Sequence, residues 1–445
     1  MDTRASMRLM PRRLSALLAL AVTLSGCVVG PDYHRPEVTP PKDFRSQVAP
    51  AEAGSLADLP WWQVFNDKAL QGLITQALAG NYDLKVAVAR IEQARQQVNV
   101  ARADYYPQVG YQAGAAREKS FIPLPQLQGN VTYNSFLAAV NAAWEADVWG
   151  RIRRTTEAAT AGLYAQEDVR RGVMLTLVSD VAANYFLLIE LDRQLAIAQE
   201  SATVYKGTLD LFTQRFEAGR DSKLGVVRAQ AAYDSSNAAI AALNRAITQQ
   251  ENAICVLLGI YPRHIERGTQ LEQQAMPATP AGLTSDLLQR RPDIMQAEQV
   301  MIGANAEIGV AVANYYPRIG LSALYGAQGV DVSDLFKSNF SIWSIAAGLT
   351  GPIFQGGRLK ATVQAQQAFW DESIAQYKKT VTGAFRETSD ALIAQQTLVT
   401  QRTAIEGQVK ANREAVDLAT QRYTDRKSTR LNSSHSGESR MPSSA

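Results

Sequence analysis

The chain carries one thirteen-residue stretch twice. Val98 to Gly110 reads VNVARADYYPQVG and Ile308 to Gly320 reads IGVAVANYYPRIG, with seven identical positions at an offset of 210 residues. A long-period internal repeat constrains the fold more than any local propensity, because both copies must form the same supersecondary unit. In each copy an alanine-rich helical pattern ends at Tyr-Tyr-Pro and an alternating pattern begins. Proline cannot continue a helix interior and pushes the residue before it towards extended geometry. Each copy is therefore a helix-to-strand junction, and the chain is two halves of one design.

After the first junction Val109, Tyr111, Ala113 and Ala115 alternate with smaller or polar residues, and alternation resumes from Val131 to about Asp147 after a loop over Glu118 to Asn130. The second half repeats this from Ile319 to about Gly329 and from Asn339 to about Thr350, around a loop through Asp331 and Asp334. The pattern predicts β-hairpins at about 108–148 and 318–350, four strands of roughly ten residues, the length that crosses an outer membrane. Four such strands cannot close a barrel, and a spanning sheet cannot leave open edges in lipid. Assembly into eight, twelve or sixteen strands is implied, and strand arithmetic does not choose among them.

Helical spacing surrounds the hairpins. Leu70, Leu73, Ile74, Ala77 and Leu78 share one face before Gly80-Asn81, and a second helix runs from about Asp83 to Tyr105. From Arg151 no proline occurs before Pro262, and Val169, Val173, Leu177, Val181, Tyr185 and Leu188 recur every three or four residues. The first breaker cluster is Ala218-Gly219-Arg220-Asp221-Ser222. A helix over 151–217 would span ~100 Å, a coiled-coil-like wall rather than a globular helix. A return helix over Lys223 to Leu258 completes the first repeat (61–258), and 259–284 is a proline-bearing connector. The second repeat opens near Arg290-Arg291-Pro292-Asp293-Ile294 and is expected over 285–426, with its long helix running from after Gly356-Gly357-Arg358 to about Thr424. Repeat symmetry calls for a further return helix that the sequence does not contain. The serine-heavy 427–445 is expected to be a disordered, non-native tail on a C-terminally truncated second repeat.

The N-terminus carries Arg8, Arg12 and Arg13, an apolar run Leu14 to Leu24, then Leu24-Ser25-Gly26-Cys27. That order makes residues 1–26 a signal peptide, and its end resembles the bacterial lipobox, which implies acylation of Cys27. Residues 27–60, with Pro31, Pro36, Pro40 and Pro41, are expected to form an extended tether. No later apolar run reaches eighteen residues. The second cysteine, Cys255, reads as a buried structural thiol.

Chemistry is sparse. A net charge of +3 in 445 residues gives no case for nucleic acid, and His34, His264 and His435 are too scattered for a histidine-rich metal site. Gly356-Gly357-Arg358 lacks the Gly-Lys-Ser/Thr ending of a phosphate loop and reads as a helix start. Glu145 and Asp147 read as carboxylates at a wet rim. Tyr105, Tyr106, Trp144, Trp149, Tyr315, Tyr316, Trp343 and Phe354 cluster at strand ends, the composition of interfacial aromatic girdles. No catalytic, cofactor-binding or metal-binding residue is expected.

Taken together, Leu24-Ser25-Gly26-Cys27, Gly30-Pro31-Asp32-Tyr33, Trp61-Trp62, Ala87-Arg90-Ile91-Ala94-Arg95, both Tyr-Tyr-Pro junctions, Arg291-Pro292-Asp293 and Gly356-Gly357-Arg358 resemble the TolC-like outer-membrane efflux factors, in their NodT-type lipoprotein branch. The resemblance covers about residues 14–425. It implies a mainly α subunit with a small β part. Its helical hairpins form a periplasmic tunnel, and its four strands join a homotrimeric twelve-stranded outer-membrane barrel. It implies a passive exit duct for small molecules such as drugs, without cofactor, partnered by a periplasmic adaptor and, through it, an inner-membrane transporter. It places the adaptor contact at a hairpin tip containing Phe216, Ala218, Gly219, Arg220, Asp221 and Leu224. A periplasmic coiled-coil adaptor or scaffold lipoprotein is the alternative.

The anchor is testable directly. Labelled palmitate is expected to enter the chain in cells and to be absent from the Cys27→Ser variant, measured by fluorography of the purified protein.

Overall fold

A computed structural model describes residues 28–39, 41, 44, 66–121, 130–274 and 287–435. Cys27, the signal peptide and Trp61-Trp62 lie outside them. In chain order the main elements are helix α1 (Lys68–Gly80), α2 (Tyr82–Ala103), strands β1 (Gln108–Phe121) and β2 (Asn130–Ala146), α3 (Arg151–Glu217), α4 (Lys223–Leu258), α5 (Pro292–Ala313), β3 (Arg318–Gly329), β4 (Ser341–Thr350) and α6 (Arg358–His435). The strands form one antiparallel sheet in the order β1-β2-β3-β4.

The helix boundaries follow local chemistry. The Asp67 carboxylate accepts from the amides of Ala69 and Leu70 at 2.8 and 3.2 Å, capping α1, and Asn81 Oδ1 accepts from Leu84 at 2.9 Å to cap α2. Side-chain caps satisfy amide donors that the first turn leaves orphaned. Pro292 occupies the first turn of α5, where its missing N–H costs nothing. At α3, Asp147 does the capping from upstream, accepting from the amides of Ile152 and Arg153 at 2.9 and 3.0 Å. The negative charge also suits the positive end of a long helix.

Two compact units are distinguished. One contains residues up to Thr39, Leu56–Thr279 and Ser285–Val381; the other contains Pro40–Ser55, Pro280–Thr284 and Thr382–Ala445. In the first unit the main core lies where α1, α3 and α4 meet, with Leu70, Ile74, Val181, Tyr185, Leu188, Ile254 and Leu258 all fully covered. These α3 positions belong to the stripe visible in the sequence. Cys255 is free and buried in the same core. In the second unit the Phe44 and Phe385 rings pack with centroids 5.8 Å apart.

Three differences from expectation stand out. Helix α6 runs on to His435, so residues 427–435, expected to be disordered, are helical; the stretch Lys427 to His435 contains no proline or glycine to stop the helix. One window of α3 is long and apolar enough to cross a bilayer by composition, although no unbroken apolar run exists. Branched aliphatic residues and few charges make the window apolar, and a third of it is buried in the protein. Finally, the tether is docked. Val29 N–H donates to Trp149 O at 3.1 Å, Asp32 pairs with Arg154 at 2.8 Å, and Arg35 pairs with Glu298 at 3.0 Å. Tyr33 donates to Glu298 at 3.2 Å and meets Trp370 edge-on at 6.1 Å. Residues 28–35 thus fasten α3, α5 and α6 together.

A second fastening sits on the core. Besides capping α1, Asp67 accepts from Tyr185 OH (3.1 Å), the Thr269 amide (3.0 Å) and Gln274 Nε2 (2.9 Å). The Gly268 amide donates to Tyr185 Oη at 2.8 Å. A side chain at Gly268 would collide with the Asp67 carboxylate, so glycine is required for the connector to come this close. Beside it Arg267 bridges Asp192 at 2.7 Å and Glu251 at 2.5 Å. Burial pushes the Asp67 carboxyl up, but the hydrogen bonds from Gln274, Thr269, Leu70 and Tyr185 outweigh it and hold it below the usual carboxylate range. Burial, with Asp67 as neighbour, pushes the Tyr185 phenol up to about 12.

The sign follows from linkage: a depressed carboxyl contributes stability that is complete above its unfolded pKa of about 3.9 and is lost as pH falls through the lower folded value. Asp67→Asn is expected to lower stability at neutral pH by about 1–3 kcal/mol and to flatten the acid limb. Denaturant unfolding across pH 2–7 (a range set by that pKa) checks this.

Candidate functional site

Side chains alternate along a strand, and cross-strand partners share a face. The register is unbroken, from Gln108↔Ala143 to Phe121↔Asn130 between β1 and β2, and likewise through β3 and β4. One face therefore carries Val109, Tyr111, Ala113 and Ala115 of β1, Phe136, Ala138, Val140, Ala142 and Trp144 of β2, Ile319, Leu321, Ala323 and Tyr325 of β3, and Trp343, Ile345, Ala347 and Leu349 of β4. Tyr111 is 88% and Ile345 79% exposed, so the described residues leave much of this apolar wall uncovered. The other face carries Gln108, Gly110, Gln112, Asn141, Glu145, Arg318, Gly320, Ser322, Ser344, Gly348 and Thr350, with Leu137, Leu324 and Ile342 among them. It is the smaller and more polar of the two. A hollow at its base is lined by Asp104, Gln108, Glu145, Arg151, Arg318 and Thr350 among others. Such a sheet can face hydrocarbon on one side and water on the other.

The aromatic residues singled out from the sequence fall at both ends of this wall. At the helix end, Trp144 Nε1 donates to Tyr105 O at 2.9 Å. Trp149 Nε1 donates to Pro317 O at 2.8 Å, and its ring stacks on Tyr316 at 4.7 Å. Trp149 thus ties the exit of the first hairpin to the second Tyr-Tyr-Pro junction. Tyr106, Tyr315 and Phe354 are exposed at the same end, Phe354 at 87%. Trp343 is alone of the set at the loop end, opposite Tyr325. Tyr325 and Phe136 belong to the same wall and were not singled out, and Tyr111 was placed in the alternation but not among the girdle aromatics, because the strand pairing was not visible in the sequence. The two rim carboxylates hold the junction: Glu145 forms a two-bond pair with Arg151 at 2.9 and 3.0 Å, and Asp147 caps α3.

The helix-hairpin tip is a glycine-terminated turn. Gly219 takes φ +67°, the Arg220 amide returns to Arg215 O at 2.8 Å, and the Gly219 amide reaches Phe216 O at 2.9 Å. The left-handed residue lets the last carbonyls of α3 find donors. Arg215 and Asp221 pair across the turn at 3.3 Å. Phe216, Ala218, Gly219, Arg220 and Leu224 are exposed, and Asp221 is half-buried by its ion pair. The tip therefore offers two large apolar side chains, Phe216 at 41% and Leu224 at 57% exposure, beside a cation.

A family model described as outer membrane efflux protein matches residues 73–260 and 283–435. The chain is 33% identical over 417 residues to the probable efflux pump outer membrane protein TtgC of Pseudomonas putida, a match covering 92% of this chain and 86% of that one. It is 31% identical over 390 residues to the cation efflux system protein CusC of Escherichia coli, covering 86% and 84% of the two chains. Among solved structures, the outer-membrane channel OprN superposes with a TM-score of 0.82 at 29% identity, over 90% of each chain.

Proposed function

Because the chain belongs to the outer membrane efflux protein family, we propose that it is the exit duct of a tripartite pump, passing small molecules such as drugs passively from the periplasm to the outside. The observation that carries this reading is the two-faced sheet whose edges, on β1 and β4, have no strand partner among the described residues. A membrane sheet must pair every edge. Since β1 and β4 run in opposite directions within the order β1-β2-β3-β4, β4 of one copy can meet β1 of the next in the antiparallel sense. Three copies give twelve strands, the number the family resemblance selects over eight or sixteen.

The apolar wall then faces lipid, the small polar wall lines the water path, and the helices hang into the periplasm. The tip around Phe216, Gly219 and Leu224 meets a periplasmic adaptor, which connects the duct to an inner-membrane transporter that supplies the energy. Acylation of Cys27 fits this arrangement. Val28 packs against Gly150 and Val29 is bonded to Trp149, so the residues after the cysteine are held at the sheet–helix junction, the level of a membrane surface.

Expression in cells lacking their own exit duct tests the function: restored drug tolerance supports it, and unchanged sensitivity with the protein present in the outer membrane refutes it. The two faces are separable by paired substitutions. Ala323→Arg places a charge on the lipid side near mid-strand and is expected to destabilise the barrel by about 2–4 kcal/mol. Ser322→Arg, one residue away on the water side, is expected to leave folding intact and reduce conductance. Heat-modifiable gel mobility and planar-bilayer recordings distinguish the two.

A further inference from the structure

The outer end of the first hairpin separates its charges by face. Because the β1–β2 register is unbroken, Arg117 and Lys119 share the face of Val109, Tyr111, Ala113 and Ala115, while Glu118 points to the other. Glu118 accepts a hydrogen bond from Tyr133 OH at 3.1 Å, its partner on that opposite face. The residues across from the two cations, Asn134 and Thr132, are uncharged. Between the two strands the sequence over 122–129 contains no acidic residue. Two exposed cations therefore stand on the apolar face with no carboxylate opposite them.

Their height along the strand matters. Arg117 and Lys119 follow Val109 by eight and ten residues, about 27 and 34 Å along the strand. A tilt of about 40° reduces this to roughly 20 and 26 Å, the outer rim of an apolar band about 25 Å tall. A cation at mid-membrane is costly, but at the rim the cost falls to nearly nothing, and there it meets lipid headgroups.

We propose that Arg117 and Lys119 form a docking surface for the phosphorylated headgroups of the outer-leaflet lipid. The proposal rests on the membrane-barrel reading above. Alternation sets the two cations about 7 Å apart on one face, so they can engage one bisphosphorylated headgroup or two neighbouring ones. Charge-assisted bonds from guanidinium and ammonium to phosphate oxygens hold the lipid. The carboxylate that would repel it is turned to the water side.

The test uses the full chain, purified as the assembled protein. Binding of bisphosphorylated lipid A and of its phosphate-free counterpart is measured by native mass spectrometry, with planar-bilayer conductance recorded on the same preparations. The expected result is selective retention of the phosphorylated lipid, weakened roughly 30-fold in the Arg117→Gln/Lys119→Gln variant, as two surface cations acting on an anionic headgroup layer imply. Glu118→Gln is expected to bind as the unmodified protein does. Equal retention of both lipids, or equal binding by the double variant, overturns the proposal. So does loss of assembly in the double variant without lipid, which would assign the cations to a subunit contact. Failure of the unmodified protein to form conducting channels would defeat the barrel reading itself, and the conductance record separates that case from the others.

Discussion

Backbone amides and carbonyls cannot be left unpaired where water does not reach them, and the sheet follows from that requirement. Inside the subunit the ladder is continuous across three strand pairs, so period-two alternation never slips and each strand keeps one apolar and one wettable side. A single bulge would have exchanged the two faces beyond it. The price of the arrangement is the pair of open edges, and only further copies of the chain supply the missing strands without a new fold.

Among the described residues, polar contacts join the helices to this sheet at several points. Asp147 caps α3, Glu145 grips Arg151, and Trp149 bonds Pro317 across the repeat boundary. The docked N-terminal strap adds Asp32–Arg154 and Arg35–Glu298. These contacts explain why the two halves, similar in pattern, differ in environment. Helix α5 is enclosed, burying Ile294, Met301, Ala304, Ile308 and Ala311, while its counterpart α2 leaves Val86, Val88 and Val100 exposed. The strap lies on α5 and has no equivalent on α2 among the described residues.

Much of this architecture was legible in the residues. Proline after Tyr-Tyr marks both helix-to-strand junctions, the breaker cluster at Gly219 marks the tip, and absence of proline across 151–217 marks the long helix, because each is a local signal with a local cause. The Asp67 cluster was not legible. Asp67 before Lys68 has the position of a helix cap, but its other partners lie at Tyr185, Thr269 and Gln274, and no local pattern announces a contact made 200 residues later. The docking of the strap was missed for the same reason. A proline-rich segment reads as extended whether it is free in water or laid along a groove. The extension of α6 to His435 was not legible, because serine-rich composition signals disorder while the absence of proline and glycine over 427–435 only permits a helix.

The two long helices leave the sheet through joints of unequal stiffness. Before α3 the single left-handed residue is Gly150, at φ +78°, and Val28 packs so closely that even a methyl group there would have to displace it. Before α6 two consecutive glycines, Gly356 and Gly357, take φ +57° and +86°, with open space around both. One joint is braced by a neighbouring segment and the other is not, so a substitution by alanine meets a steric obstacle at residue 150 that it does not meet at residues 356–357, although the left-handed backbone penalises it at all three.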